Sequence, residues 1–319
     1  MSLIRKLANI FASGSEGHFA VFGKHPGWND HIDDIGLNTR RLTELKRVLY
    51  VQGIRGNIDS GRWKALEPAE RNEKFHHLFI SYVPNDIVIG RFWSSTDGKG
   101  RSSYPMVVAG ECTSFPLDWC LNTISPMLES FEKGSIITDS AGTIQRLAEA
   151  KQAELLSAIA NADFRQMLTN PTPQQWLSLI ANQPYMKENP DRLLRILYQF
   201  VRALKPYTHD RFDAAQKSGL HRSQHLRMPA FDTPEESGRT WIRFLLNYLH
   251  PNTPIFAIIP VDLSWVDLLI GPVDQNGLFC ISASLERLPL TSEIPYNLDE
   301  AFVAQATNEI NEARTVTGN

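Results

Sequence analysis

The sequence predicts an α+β protein, with a mainly antiparallel (mixed) sheet flanked by helices and a helical middle segment. Three observations lead there. The runs "HHLFISYV" (76–83), "IVIGRFWSS" (87–95) and "SYPMVVAG" (103–110) follow one another through short turns rich in Pro, Asn, Asp and Gly, the pattern of an antiparallel meander. From about Asp139 the apolar residues recur at helical spacing instead. Strand-like runs return only near the C-terminus, so helices and strands are grouped rather than alternating as in a βαβ array.

The first element, "HFAVFG" (18–23), alternates as a buried strand and breaks at Gly23, Pro26 and Gly27. Asn38 can then cap a helix whose apolar face is Leu42, Leu45, Val48 and Leu49. "RGNIDSGRW" (55–63) is a turn-rich connector, and "PAERNEKF" is a short helix with Pro68 near its start. After the meander, "PLDWCLNTISPMLESFEK" is helical with a break or kink expected at Pro126.

Ile144, Leu147, Leu155 and Ile159 stripe the next helix. Thr172-Pro173-Gln174-Gln175 is a capping box opening another, and Asn189-Pro190 starts one with Leu193, Leu194, Leu197, Phe200, Val201 and Leu204 on its core side. Residues 205–232 are polar and weakly periodic, a long surface excursion. Thr233-Pro234-Glu235-Glu236 is a further capping box before "SGRTWIRFLLNYL". Strands are expected at "PIFAIIPV", "WVDLLIG" and "LFCISA", the last two forming a hairpin through "PVDQNG", and a final helix closes near Phe302 and Ile310.

At 319 residues the chain suits one large or two modest domains. Four segments are expected: an N-terminal amphipathic segment 1–16, an α/β core 17–134, a helical segment 135–232, and 233–319, a helix plus strand hairpin that could complete the same sheet. A net charge of −3 gives no basic footprint for nucleic acid and no polybasic patch for anionic lipid. The three cysteines form no C-x-x-C pair, and their odd number argues against a disulfide framework. The run "IFAII" (255–259) is far short of the roughly 20 residues of a membrane helix. Residues 1–16 place Leu3, Ile4, Leu7, Ile10 and Phe11 at helical spacing, too short and polar a block for a signal sequence. The expected location is cytoplasmic, without membrane insertion.

The densest chemistry lies in "FGKHPGWNDHIDD" (22–34). His25, Asp30 and His31 could supply the three protein ligands of a hydrolytic metal centre. Pro26, Gly27, Asn29 and Asp30 are equally the residues of a structured loop, in which the Asp30 carboxylate satisfies backbone N–H groups, and this reading is preferred. Gly98-Lys99-Gly100-Arg101 lies between strands and opens no helix, so it is a hairpin turn and not a phosphate cradle. The histidines of "HRSQH" (221–225) lack a third ligand and the glutamate of a zincin. No nucleophile motif stands out, and the sequence requires no cofactor.

Two blocks of the chain together resemble the TagF (ImpM) family of bacterial type VI secretion-associated proteins. Gly23, Lys24, Pro26 and Asp30 match a G-K-x-P-x-x-G-D-F-like signature, with Asn29 and His31 departing from it. Ser95, Asp97, Gly100 and Arg101, followed by Tyr104-Pro105-Met106 with one extra residue between, match the S-x-D-x-x-G-R block. Trp63 stands where the family carries a tryptophan between them. The resemblance covers roughly residues 17–128, which makes 17–134 a TagF-like core and the chain a divergent or C-terminally extended member.

The resemblance implies a non-catalytic accessory protein that acts post-translationally on a type VI secretion system, through contacts with its forkhead-associated scaffold or other components. The alternatives are a metal-dependent hydrolase at His25, Asp30 and His31, or a structural adaptor subunit of a larger assembly. Lys24, Asp30, Asp97 and Arg101 are expected to meet as opposite charges and pin the loop to the meander.

Overall fold

The structure, a computed structural model, describes residues 16–163 and 171–316. The expected amphipathic segment 1–16 lies outside them apart from Glu16. Seven strands form one sheet: β1 (Gly17–Gly23), β2 (His76–Val83), β3 (Asp86–Ser94), β4 (Pro105–Thr113), β5 (Gln224–Pro229), β6 (Ile255–Pro260) and β7 (Trp265–Ile270). Their order is β1-β4-β3-β2-β6-β7-β5, and every neighbouring pair is antiparallel. Since β6 pairs with β2, the C-terminal strands continue the sheet of the meander.

Side chains of β1 alternate between two cores, Phe19 and Val21 in one, Ala20 and Phe22 in the other. With both faces buried, the strands read as near-continuous apolar runs. One face carries α1 (Arg40–Leu45), a π-helical stretch (Lys46–Arg55), α2 (Gly56–Asp59) and a 3-10 helix (Gly277–Ser282). The other carries a thicker layer: α3 (Leu117–Ile136), α4 (Ala141–Ala160), α5 (Pro173–Ala181), α6 (Pro184–Glu188), α7 (Asp191–Ala203), α8 (Phe212–Lys217), α9 (Pro234–Leu246) and α10 (Glu300–Val316).

The outer edge of β1 is closed without another strand. Gln152 on α4 donates to the Gly17 carbonyl at 2.9 Å and accepts from the Phe19 amide at 2.7 Å. Val21 exchanges backbone bonds with Ile35, and the Ile32 amide donates to the Gly23 carbonyl at 2.8 Å. An edge occupied in this way offers no template for pairing with another chain.

Several local expectations are corrected. Thr39, not Asn38, caps α1, its hydroxyl accepting from the Leu42 amide. The connector 55–63 continues the preceding helix to Asp59, and Gly53 within that helix lets it pack closely on Leu278, whose Cδ1 would lie 2.4 Å from a Cβ there. The helix expected from Pro68 is a single 3-10 turn, Pro68–Glu70. α3 runs as one element through Pro126. Val201, expected on the core side of α7, is exposed.

The hairpin is β6–β7, and 278–283 is not its partner: 278–282 belong to the 3-10 helix and Ala283 follows it in extended backbone. Asp274 accepts from the Gly277 amide at 2.9 Å, starting that helix where a strand was expected. The polar excursion 205–232 contains α8 and strand β5. Thr172 makes the full capping box, whereas at Thr233 only the Thr hydroxyl half forms, Glu236 turning to Arg239 and Thr240.

Candidate functional site

Strand β1 ends at Gly23, whose φ of +102° and 2.3 Å approach of a hypothetical Cβ to the Pro105 carbonyl admit only glycine. The Lys24 amide then donates to that carbonyl at 3.1 Å, which turns the Lys24 side chain inward. Its Nζ, almost fully buried, meets Asp97 Oδ2 at 2.6 Å. Asp97 leaves β3 in a loop closed by its own carboxylate. Oδ1 accepts from the Lys99 and Arg101 amides at 3.0 Å each, and Oδ2 accepts from Arg101 Nε at 2.7 Å. Gly100, with φ of +77°, completes this turn.

The two loops are then stitched directly. The Gly98 amide donates to the Trp28 carbonyl at 2.7 Å, and Arg101 Nη2 donates to the Asn29 carbonyl at 3.0 Å. Asp30 sits at the rim, 3.3 Å from Arg101 and 3.7 Å from Lys24, with its side chain largely exposed. Burial pushes the Asp97 carboxyl upward, but the Lys24 ammonium, the two amides and the Arg101 guanidinium outweigh it, and its pKa falls well below the usual carboxylate range. Opposite charges from the two sequence blocks thus meet, with Asp97 as the hub and Asp30 peripheral.

The remaining signature residues surround this hub. Pro105 opens β4 and its carbonyl also accepts from the Tyr50 hydroxyl at 3.4 Å. The Tyr104 ring lies 5.6 Å from Lys24 Nζ, and its hydroxyl donates to Asp59 at 3.1 Å. Ser95 is half-buried where the chain leaves β3, and Pro26 is exposed at the loop tip. Trp63 joins neither block: it is buried and donates Nε1–H to the Phe279 carbonyl at 3.1 Å, tying the helical cover to the 3-10 helix.

The alternative metal set is not assembled. His25 is buried, its Nδ1 accepts from the Gly27 amide at 3.1 Å and its Nε2 donates to the Ser135 carbonyl at 3.2 Å. Burial lowers its pKa, so the ring is neutral and both nitrogens are engaged by backbone. His31 instead faces Asp30, Nδ1 to Oδ1 at 3.0 Å, between the rings of Tyr50 and Tyr104. The ligand atoms of His25, Asp30 and His31 therefore do not converge on one point.

A second polar centre went unread in the sequence. Arg227 on β5 pairs across the ladder with Asp267 on β7, both almost fully buried. The guanidinium makes a fork, Nε to Oδ1 and Nη2 to Oδ2, each at 2.8 Å. Its remaining N–H groups reach the carbonyls of Cys280, Ala283, Ser284 and Leu288 at 2.9 to 3.2 Å, and Trp265 lies 4.6 Å beneath it.

His225, on the same face of β5, sets Nε2 2.6 Å from Asp267 Oδ1. Burial raises the Asp267 pKa, but the Arg227 charge and the His225 hydrogen bond hold it down to about 2. His225 also lines a cleft of about 580 Å³ together with Ser223, Asp274 and Gly277. The signal for this centre was present as a lone acid in the apolar run "WVDLLI", since a buried carboxylate requires a cation. Compared with known proteins, the chain matches no family model, no curated protein and no solved structure.

Proposed function

We propose that this chain is a non-catalytic, cytoplasmic accessory protein of a type VI secretion system, acting post-translationally through protein–protein contacts. The observation that carries the reading is the union of the two sequence blocks around Asp97. Lys24, Asp97 and Arg101 direct their polar groups at one another and at backbone, which suits a loop held in fixed shape for recognition. The TagF-like pattern supplies the system, and the forkhead-associated scaffold is the first partner to test.

The test is capture of the purified scaffold by the full chain, beside Asp97→Asn and Asp30→Asn. Capture by the wild-type chain, weakened by Asp97→Asn and retained by Asp30→Asn, is expected. Failure of the folded wild-type chain to bind the scaffold or any other purified component of that system overturns the assignment. Stoichiometric metal lost on His31→Ala would favour the hydrolase instead.

A further inference from the structure

We propose that His225, Asp267 and Cys280 form a binding site for one zinc-type dication, reached from the adjoining cleft on the His225 side. One imidazole nitrogen, one carboxylate oxygen and one sulfur lie within 4.8 Å of one another there, the only such trio among the described residues. The three come from different elements, β5, β7 and the 3-10 helix, so an ion would tie together parts of the fold that are distant in sequence. A nitrogen, oxygen and sulfur set suits Zn²⁺ and not the hard ions Mg²⁺ or Ca²⁺, which take oxygen.

The surroundings match what such an ion needs. A carboxylate offers about four lone-pair positions, and the Arg227 fork takes one on each oxygen, fixing the Asp267 carboxylate from behind. Asp267 Oδ1 also meets His225 Nε2 at 2.6 Å, and with the Cys280 sulfur within 4.8 Å of both ligand atoms a dication would stand among the three. On binding, the thiol proton leaves to solvent and the imidazole proton moves from Nε2 to Nδ1. The ion then meets a thiolate, a carboxylate and a neutral imidazole. The 2.6 Å His225–Asp267 contact must widen by roughly 1 Å to admit it. The His225 side chain, 24% exposed beside the cleft, has room to swing by that much. Asp267 and Cys280 are almost fully buried and His225 alone of the three lines the cleft, so the ion, and a water as its fourth ligand, would enter past His225.

The experiment strips the full chain with a chelator and titrates it with Co²⁺, followed by Zn²⁺. One equivalent of cobalt with a thiolate-to-cobalt charge-transfer band in the near ultraviolet, bleached by one equivalent of zinc, is expected. Cys280→Ser should lose the band. His225→Gln, a change at a half-buried position, should fold with unchanged circular dichroism and bind at least about tenfold more weakly. The absence of a band in the wild-type chain overturns the proposal, as does a band of equal strength and affinity in His225→Gln and Cys280→Ser.

Discussion

Replacing Arg227 with Met removes the buried cation and keeps much of its apolar stem. Among the described residues, Asp267, 1% exposed, is left with the His225 hydrogen bond, the Cys280 thiol lying nearby. Of the four carbonyls that Arg227 served, those of Cys280 and Ser284 keep backbone donors, Ala283 and Leu288 respectively. The Ala283 carbonyl, buried with its residue, loses its donor. Removing one partner of a buried ion pair costs about 3–5 kcal/mol, and the stranded carboxylate dominates that figure here. Against a typical total of about 5–15 kcal/mol, the loss is large.

The assay is urea unfolding followed by tryptophan fluorescence, in chelator so that no metal contributes. Arg227→Lys should recover only part of the loss, because an ammonium restores the charge but neither the fork nor the reach to four carbonyls. Arg227→Met combined with Asp267→Leu should be at least about 1 kcal/mol more stable than Arg227→Met alone, since it removes the unpaired charge. If Arg227→Met costs less than about 1 kcal/mol, or if the two substitutions simply add, the pair does not organise this side of the sheet as argued.

Three further outcomes follow from the geometry. Lys24→Met and Asp97→Asn should each lower the melting temperature by several degrees, whereas Asp30→Asn, at the exposed rim, should barely move it; equal effects at Asp30 and Asp97 would remove Asp97 from the hub. Burial lowers the His77 pKa from its ordinary 6.5 to about 3, so the unfolded chain binds the extra proton between those values. Its contribution to stability is therefore complete above about pH 6.5 and is lost at about 1.4 kcal/mol per pH unit as the pH falls toward 3. Urea midpoints measured from pH 7 to pH 5 should fall less steeply in His77→Phe, and an unchanged slope contradicts the assignment. Gln152→Ala uncovers the Gly17 carbonyl and Phe19 amide, and should raise the rate of aggregation seen by light scattering at elevated protein concentration more than the neighbouring Lys151→Ala does.

What the sequence made legible depended on how far apart the interacting residues lie. The Thr172 capping box was readable because its partner, Gln175, is three residues away and the bond needs no tertiary context. The meander was readable because its turns are local and its strands are buried on both faces. The run 278–283 failed for the opposite reason: a short apolar stretch has no period that separates strand from helix, and Asp274 with the packing around Trp63 decided it. Lys24 and Asp97 are 73 residues apart, and only a paired pattern of two blocks suggested that they meet.

β5 was hidden by its own chemistry. His225 and Arg227 made "QHLRMP" look like exposed chain, although Leu226 and Met228 alternate with them as a buried strand requires. The polarity of that second face becomes intelligible only with Asp267, 40 residues away in an otherwise apolar strand. Neither observation is decisive alone. An isolated acid in a buried strand demands a cation, and an isolated arginine between two apolar residues demands an acid. Taken together the two demands select each other. Their meeting across the β5–β7 ladder fixes register, because a slip of one residue would send Arg227 to the opposite face and leave Asp267 buried without charge compensation.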